Sequence, residues 1–503
     1  MTSTPDPAPG ASAAPVTAER RLHPMSWLFV LLQQLKQFIV PLLALLFFGR
    51  GDRNELWPLI GVGVLVVVSL WQYATYRYGV AGDRLVVRSG LLERSLRVIP
   101  FARIHNVALQ QSLLHRLFGV AEVRLESAGG KKPEAQMRVL KLSDALALEA
   151  LVRRRGAVTD AEAAPEPAAE PPLLVLPPGE VLRLGLVSNR GLIVVGAAFA
   201  GASQFSPRLI PNAFESLGGE LFGYAGAHGF GPAEYALAAA SLFAGFVLLL
   251  RLFSMLLALL QYYGFRLSEH ERRLTVERGL LARWRTSASR RRIQAWTLRE
   301  GLMHRLLRRR SLEVDTAVAD DNPEQSRALR ELAPIAPAAT CDALIEHLLP
   351  KAQWSQLEWR PLPAASWWRL FLPGLPWTLL ITVALTWRFG GWGLLALGWL
   401  PWAAFKARRR AQRSAYAMGA ELVAAREGWW SRTWRFAELD KLQALQLTRS
   451  PVDRRCGTAT LWLDTAGAGA MAPPLRIRFL PEAEARALYA ALSRTLAKRP
   501  LRW

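Results

Sequence analysis

The chain has 503 residues, a net charge of +23 (63 Lys plus Arg against 40 Asp plus Glu), 51% hydrophobic residues, 19 Trp and 2 Cys. At roughly 100–200 residues per domain, that length predicts three or four folded units. Cys341 and Cys456 stand alone, without a CxxC pair or a Cys/His spacing, which excludes a disulfide-stapled secreted domain and a zinc module. The apolar fraction excludes disorder over most of the chain, and a soluble nucleic-acid binder would explain the charge but not the apolar runs.

In chain order, residues 1–20 are Pro/Ala-rich and read as a disordered tail. Six apolar runs follow in three pairs, each long enough, or nearly so, for a bilayer core of about 30 Å. They are Trp27–Phe48 and Trp57–Tyr73, Leu192–Phe205 and Tyr235–Leu250, and Trp367–Trp387 and Trp392–Phe405. Trp and Tyr cluster at the run ends, where rings sit at headgroup level. Arg20, Arg21, Arg77, Arg84, Arg88 and the Lys406–Arg410 run flank one side, whereas the loop from Ser206 to Glu234 carries Arg208 against three acids. The positive-inside rule therefore directs the hairpin tips outward and the intervening segments into the cytoplasm. The expected organisation is a tail (1–20), hairpin (21–76), domain (77–156), Pro/Ala linker (157–180), hairpin (181–263), domain (264–350), hairpin (351–413) and domain (414–499).

The three intervening segments repeat. Anchored on Gly90, Gly279 and Gly428, the columns align without a gap: Ile104, Ile293 and Leu442 fourteen residues on, Arg116, Arg305 and Arg454 twenty-six on, Leu125, Val314 and Leu463 thirty-five on. Each copy reads as mainly β, with alternating runs broken by the Gly, whose place in a turn calls for a positive φ. A short helical or crossing segment (QSLLHRLFG, EGLMHRLLR) precedes further strands, and a helix closes each copy near Ser143–Arg155, Thr340–Leu349 and Pro481–Lys498. The fold class is membrane α-helical hairpins plus β: six transmembrane helices and three small barrels, each closed by a C-terminal helix.

The pattern of two spans followed by LxVxxGLLxR and IPxxRIxxVxxxQSLLxRLFG resembles the bacterial pleckstrin-homology (PH) membrane family. Gly90–Leu92, Ile99, Pro100, Arg103, Ile104, Gln111–Leu114 and Arg116–Gly119 carry it in the first copy, and the second and third copies diverge from it progressively. The resemblance implies a PH-like split barrel for each copy and a multi-pass protein of the bacterial inner membrane; it implies no ligand or activity.

No catalytic constellation is evident. The seven His are dispersed, and HExxH, GxxxxGK[ST] and GxSxG are absent, so no enzyme activity, metal or cofactor is expected. His115 and His304 share a column in which the third copy carries Asp453, which points to packing or surface roles. The candidate lipid or partner contacts are Arg290, Arg291 and Arg292, Arg308, Arg309 and Arg310, and the repeat-column Arg116, Arg305 and Arg454. A basic side chain near an anionic leaflet is worth about 1 kcal/mol; the competing reading of the repeat column is a contact that the fold itself needs. Gln33, Gln34 and Lys36 are candidate intramembrane polar residues. The expected function is a non-enzymatic scaffold or envelope-stress component that contacts the membrane, anionic phospholipid headgroups, a protein partner or a second copy of itself, and no nucleic acid. The alternative is a transporter or export accessory working through the polar residues of the first run.

Overall fold

The computed structural model describes residues 20–35, 56–90, 94–127, 135–156, 171–205, 208–270, 272–316, 330–465 and 473–498. The expected tail, Lys36 and most of the linker lie outside the described residues. The chain forms two compact units, residues 1–169 with 282–288, and residues 170–281 with 289–503.

The first unit opens with β1 (Arg20–Arg21), α1 (Ser26–Leu35) and α2 (Leu56–Thr75). The barrel strands follow as β2 (Arg77–Ala81), β3 (Arg84–Ser89), β4 (Ser95–Pro100) and β5 (Ile104–Gln111). After the short helix α3 (Leu113–Leu117) come β6 (Val120–Ser127), β7 (Ala135–Lys141) and the closing helix α4 (Leu142–Gly156). Strands β1-β2-β3-β4 form one antiparallel sheet and β5-β6-β7 belong to a second. Leu85, Phe101, Val123, Leu125 and Met137 fill the core between them, each such burial stabilising by about 1.5–3 kcal/mol.

The second copy repeats this order. It comprises β8 (Leu174–Val175), four helices α5 (Pro178–Val187), α6 (Arg190–Phe205), α7 (Leu209–Ala227) and α8 (Pro232–Tyr262), and strands β9 (Arg266–His270), β10 (Arg273–Arg278), β11 (Arg283–Ser289) and β12 (Ile293–Glu300). Helix α9 (Leu302–Leu306), β13 (Arg309–Thr316), β14 (Glu331–Pro337) and α10 (Ala338–Leu348) complete it. The third copy comprises β15 (Arg360–Pro361), α11 (Trp367–Phe371), α12 (Leu375–Phe389), α13 (Trp399–Arg413), β16 (Ala415–Met418), β17 (Leu422–Glu427), β18 (Arg432–Glu438) and β19 (Leu442–Thr448). It ends with α14 (Pro451–Cys456), β20 (Thr458–Thr465), β21 (Leu475–Pro481) and α15 (Glu482–Ala497).

Successive copies share sheets. Within the first unit β5 pairs antiparallel with β11, from Arg283 opposite Gln111 to Ala288 opposite Asn106. Within the second, β14-β13-β12-β18-β17-β16-β15 form one seven-stranded sheet, with Glu300 opposite Arg432 and Trp296 opposite Phe436 at the joint. Those two rings stack at 6.2 Å, and Arg435, buried at the same joint, donates to Thr297 Oγ1 at 2.5 Å and pairs with Asp315 at 2.5 Å. The anchor glycines Gly90, Gly279 and Gly428 all have positive φ (132°, 112° and 97°). A Cβ on Gly428 would lie 1.9 Å from the Ser431 carbonyl oxygen, so this turn admits glycine alone.

The expectation of six spans is corrected. Among the described residues two helical stretches are long and apolar enough to cross a membrane, Pro232–Tyr262 and Ala364–Arg413, or three if the bent pair α5 and α6 counts as one. Of the first run only Ser26–Leu35 is described, and the second falls in α2, whose Ile60–Thr75 portion counts as a shorter apolar helix. Helix α6 has 16 residues, about 24 Å at 1.5 Å each, and meets α5 at 54°. Arg251 on α8 fills that break, donating to the Leu186 and Ser188 carbonyls at 3.1 and 3.2 Å, which explains a charge in an apolar helix. The fifth and sixth runs fall in one helical stretch that doubles back at Gly390, so that α11 packs on α13. The Ser206–Glu234 segment, expected as a loop, is mostly α7.

A recess between helix and barrel in each copy

In each copy the last hairpin helix runs into the first barrel strand, and the space between that helix, the anchor-glycine turn and the last strand forms a recess. Three repeat positions decide its character. Eighteen residues before the glycine stand Gln72, Gln261 and Arg410; immediately before it stand Ser89, Arg278 and Glu427. On the last strand, Gln136, Glu331 and Arg476 occupy one ladder position, opposite Arg124, Glu313 and Trp462.

The first copy has a small recess of about 280 Å³, lined by Leu22, Val30, Gln72, Tyr73, Tyr76, Gly90, Gln136 and Arg138. The Tyr76 hydroxyl donates to the Gln136 carbonyl at 3.0 Å. The second copy fills the corresponding place with charge. Glu331 pairs with Arg190 and Arg278 at 3.2 Å each and accepts from the Tyr262 hydroxyl, while both guanidinium groups lie over the Tyr262 ring at 4.5 and 4.6 Å. Gln261 accepts from Arg190 at 2.5 Å.

The third copy opens a cavity of about 640 Å³ lined by Trp402, Lys406 and Arg410 of α13, Glu427, Trp429 and Trp430 of the turn, and Arg435 and Arg476 of the strands. Its rings form a continuous cluster: Trp429 lies 5.3 Å from Phe405, 6.1 Å from Trp402 and 5.7 Å from Trp430. Glu427 is the one acid among these lining residues and already accepts from Arg410 at 3.1 Å. Burial pushes the Arg476 guanidinium below its ordinary pKa, with Glu427 opposing and Arg410 adding to the fall, as expected for a cation short of an anion. The arrangement can hold a phosphate or carboxylate beneath an aromatic rim; it carries no nucleophile–base pair.

The recess also shows how the third barrel is tied to its hairpin. Arg369 of α11 bonds to the Asp453 carboxylate and donates to Thr458 Oγ1 at 2.8 Å. Asp453 is the third residue of α14 and closes a capping box with Ser450. Burial alone would raise its pKa, but the Ser450 hydroxyl and amide, Arg369 and Thr458 together hold the carboxyl down at about 2. His115 occupies the same column and bonds Ser112 through Nδ1 at 2.6 Å, its ring 4.1 Å from Phe29. That column is therefore a helix-start position.

The sequence candidates are dispersed. Arg290 pairs with Glu269 at 3.3 Å and donates to the Leu348 carbonyl at the end of α10, Arg309 pairs with Glu180 at 2.7 Å, and Arg310 pairs with Asp342 at 3.2 Å while lying over Trp434. Arg291 and Arg308 are exposed; burial and Arg273 bring Arg292 down to about 10. Arg116, Arg305 and Arg454 sit at one position of the short helices, each backbone amide donating four residues back, with Arg116 and Arg454 exposed. Gln34 accepts from the Ser69 hydroxyl at 2.7 Å, joining α1 to α2; Gln33 is exposed, and the Lys36 position lies outside the described residues. Sequence reasoning passed over Arg476, Trp429 and Trp430. The signal was present: the anchor glycine is followed by Leu-Leu in two copies and by Trp-Trp in the third.

A family model described as "Bacterial PH domain" matches three times, at residues 29–156, 217–351 and 370–496. The chain is also 21% identical over 406 residues to the UPF0699 transmembrane protein YdbT of Bacillus subtilis, covering 76% of this chain and 79% of that protein. No solved structure matches.

Proposed function

We propose, from the premise that this chain belongs to the bacterial PH domain family, that it is a non-enzymatic inner-membrane protein whose third domain seats the headgroup of an anionic lipid. The carrying observation is the cavity itself: Lys406, Arg410 and Arg476 against Glu427, under a rim of Trp402, Trp429 and Trp430. It lies where α13 changes from apolar residues to Lys406, Arg408, Arg409 and Arg410, the level at which Trp and Arg meet a headgroup zone. Basic residues at this helix end also support a cytoplasmic position for the domain. With a lipid seated, the barrel is fixed against the membrane surface, as a scaffold requires.

The test titrates the purified full chain in detergent with phosphatidylglycerol or phosphatidylcholine and counts retained lipid by native mass spectrometry. Phosphatidylglycerol should be retained selectively, and Arg476→Gln should weaken it roughly tenfold, equivalent to about 1.4 kcal/mol. Equal retention of both lipids, or no effect of the substitution, would remove the reading.

A further inference from the structure

The shared sheets leave two ends. In the first unit the fourth strand of copy one (β5) takes up the third strand of copy two (β11), and in the second unit the fourth strand of copy two (β12) takes up the third strand of copy three (β18). The two joints have one register: Arg283 opposite Gln111 in the first is Arg432 opposite Glu300 in the second, four and twenty-one residues after the respective anchor glycines. Among the described residues, the third strand of copy one, β4, ends its sheet, and so does the fourth strand of copy three, β19. One complementary edge of each kind is thus left over.

The side chains at these ends match the buried ones at the joints. At the joint positions Val107, Leu109, Trp296, Leu298 and Phe436 are at most 4% exposed, whereas on β4 Leu96 is 59% and Val98 42% exposed. On β19, Leu445 and Leu447 hold the columns of Trp296 and Leu298 but are only partly buried. Edge strands that stay single are ordinarily guarded by charge, proline or a covering element; β4 has Arg97 and the terminal Pro100, yet Leu96 and Val98, which share one face, stand exposed.

We propose that β4 of one molecule pairs with β19 of a second copy of this chain, continuing head to tail the joint built twice within each molecule. The shared register sets the contacts: Leu96 opposite Leu447, Val98 opposite Leu445 and Ser95 opposite Thr448. Just beyond the strands Arg94 would face Arg449, which pairs with Glu482 at 2.6 Å, an acid shared with Arg486. Such an interface is heterologous, since two different edges meet, so it builds rings or filaments and not a two-fold dimer.

The test co-expresses two differently tagged full-length chains in a Cys456→Ser background, one with Leu96→Cys and the other with Leu447→Cys. Opposed residues of an antiparallel pair have Cα atoms about 4.5–5.5 Å apart, within disulfide reach. Mild oxidation of membranes should join the two tags, and replacing Leu447→Cys by Gln443→Cys, four residues out of register, should reduce the product at least tenfold. In a separate readout, Leu96→Lys with Val98→Lys, both at exposed positions, should take the purified assembly to single-chain mass with an unchanged melting temperature. Three results would overturn the proposal: a wild-type chain that is single in membranes, cross-linking indifferent to register, or a chain carrying both cysteines that closes only on itself.

Discussion

The second and third copies build the same recess and use it in opposite ways. In the second, Glu331 on the last strand faces Arg278 before the anchor glycine and is shared with Arg190 around Tyr262. In the third the signs are exchanged, with Arg476 on the strand and Glu427 before the glycine, and Arg410 replaces Gln261 on the helix, so that with Lys406 three cations face one acid. The second barrel is held to its helices through the recess; the third is held beside it, through Arg369 and Asp453, and so the recess is left open. Divergence within one repeat can thus convert a structural ion-pair cluster into an open cavity by moving the tether a few residues away.

The sharpest way to break this comparison is to remove the plug. Glu331→Gln leaves Arg190 and Arg278 side by side without their anion, and stripping one partner from this partly buried charge cluster should cost roughly 2 kcal/mol, less than for a fully buried pair. Thermal unfolding of the full chain should show a clear loss of melting temperature. An unchanged melt would mean that the second recess is not held by charge.

The tether of the third copy comes next. Asp453 has its folded-state pKa lowered from 3.8 to about 2, so its contribution, roughly 2 kcal/mol, is present above the unfolded pKa. It is lost as pH falls from about 4 through 2. Asp453→Asn should therefore destabilise at pH 7 by about that amount, and the gap between variant and wild type should close towards pH 2. A gap that stays constant with pH would show that the residue acts through packing.

Much of this fold could be read from the residues, because strands and closing helices follow from local alternation and from columns such as Gly90, Gly279 and Gly428. Those glycines do adopt positive φ. The short segments after β5 and β12 were legible as a helical turn or a crossing loop, and both are helices; the one after β19 was not singled out. The span count was not legible: apolar composition does not reveal that α6 is broken from α5 at Ser188. The shared sheets were invisible because a strand's own pattern does not say which copy supplies its neighbour. The partners of the basic runs were hidden for a related reason: Arg309 and Arg310 pair with Glu180 and Asp342, which lie 129 and 32 residues away in sequence. Arg476, by contrast, is an isolated residue made distinctive only by what surrounds it.

The smallest expected effect isolates the aromatic rim. Trp429→Leu with Trp430→Leu restores the pair that follows the glycine in the other two copies, and Gly428 keeps its turn, so the barrel should melt as before. Seating of phosphatidylglycerol should weaken about fivefold, near 1 kcal/mol, because the rings add apolar contact at the headgroup level but not the charge. The combination with Arg476→Gln separates the two contributions. If rim and cation act independently, their losses add; if the rings serve to desolvate the cation, the second substitution costs little once the first is made. The latter result would place the selectivity of the cavity in its dryness, and would explain why a recess with Arg138 but no tryptophans in the first copy remains small.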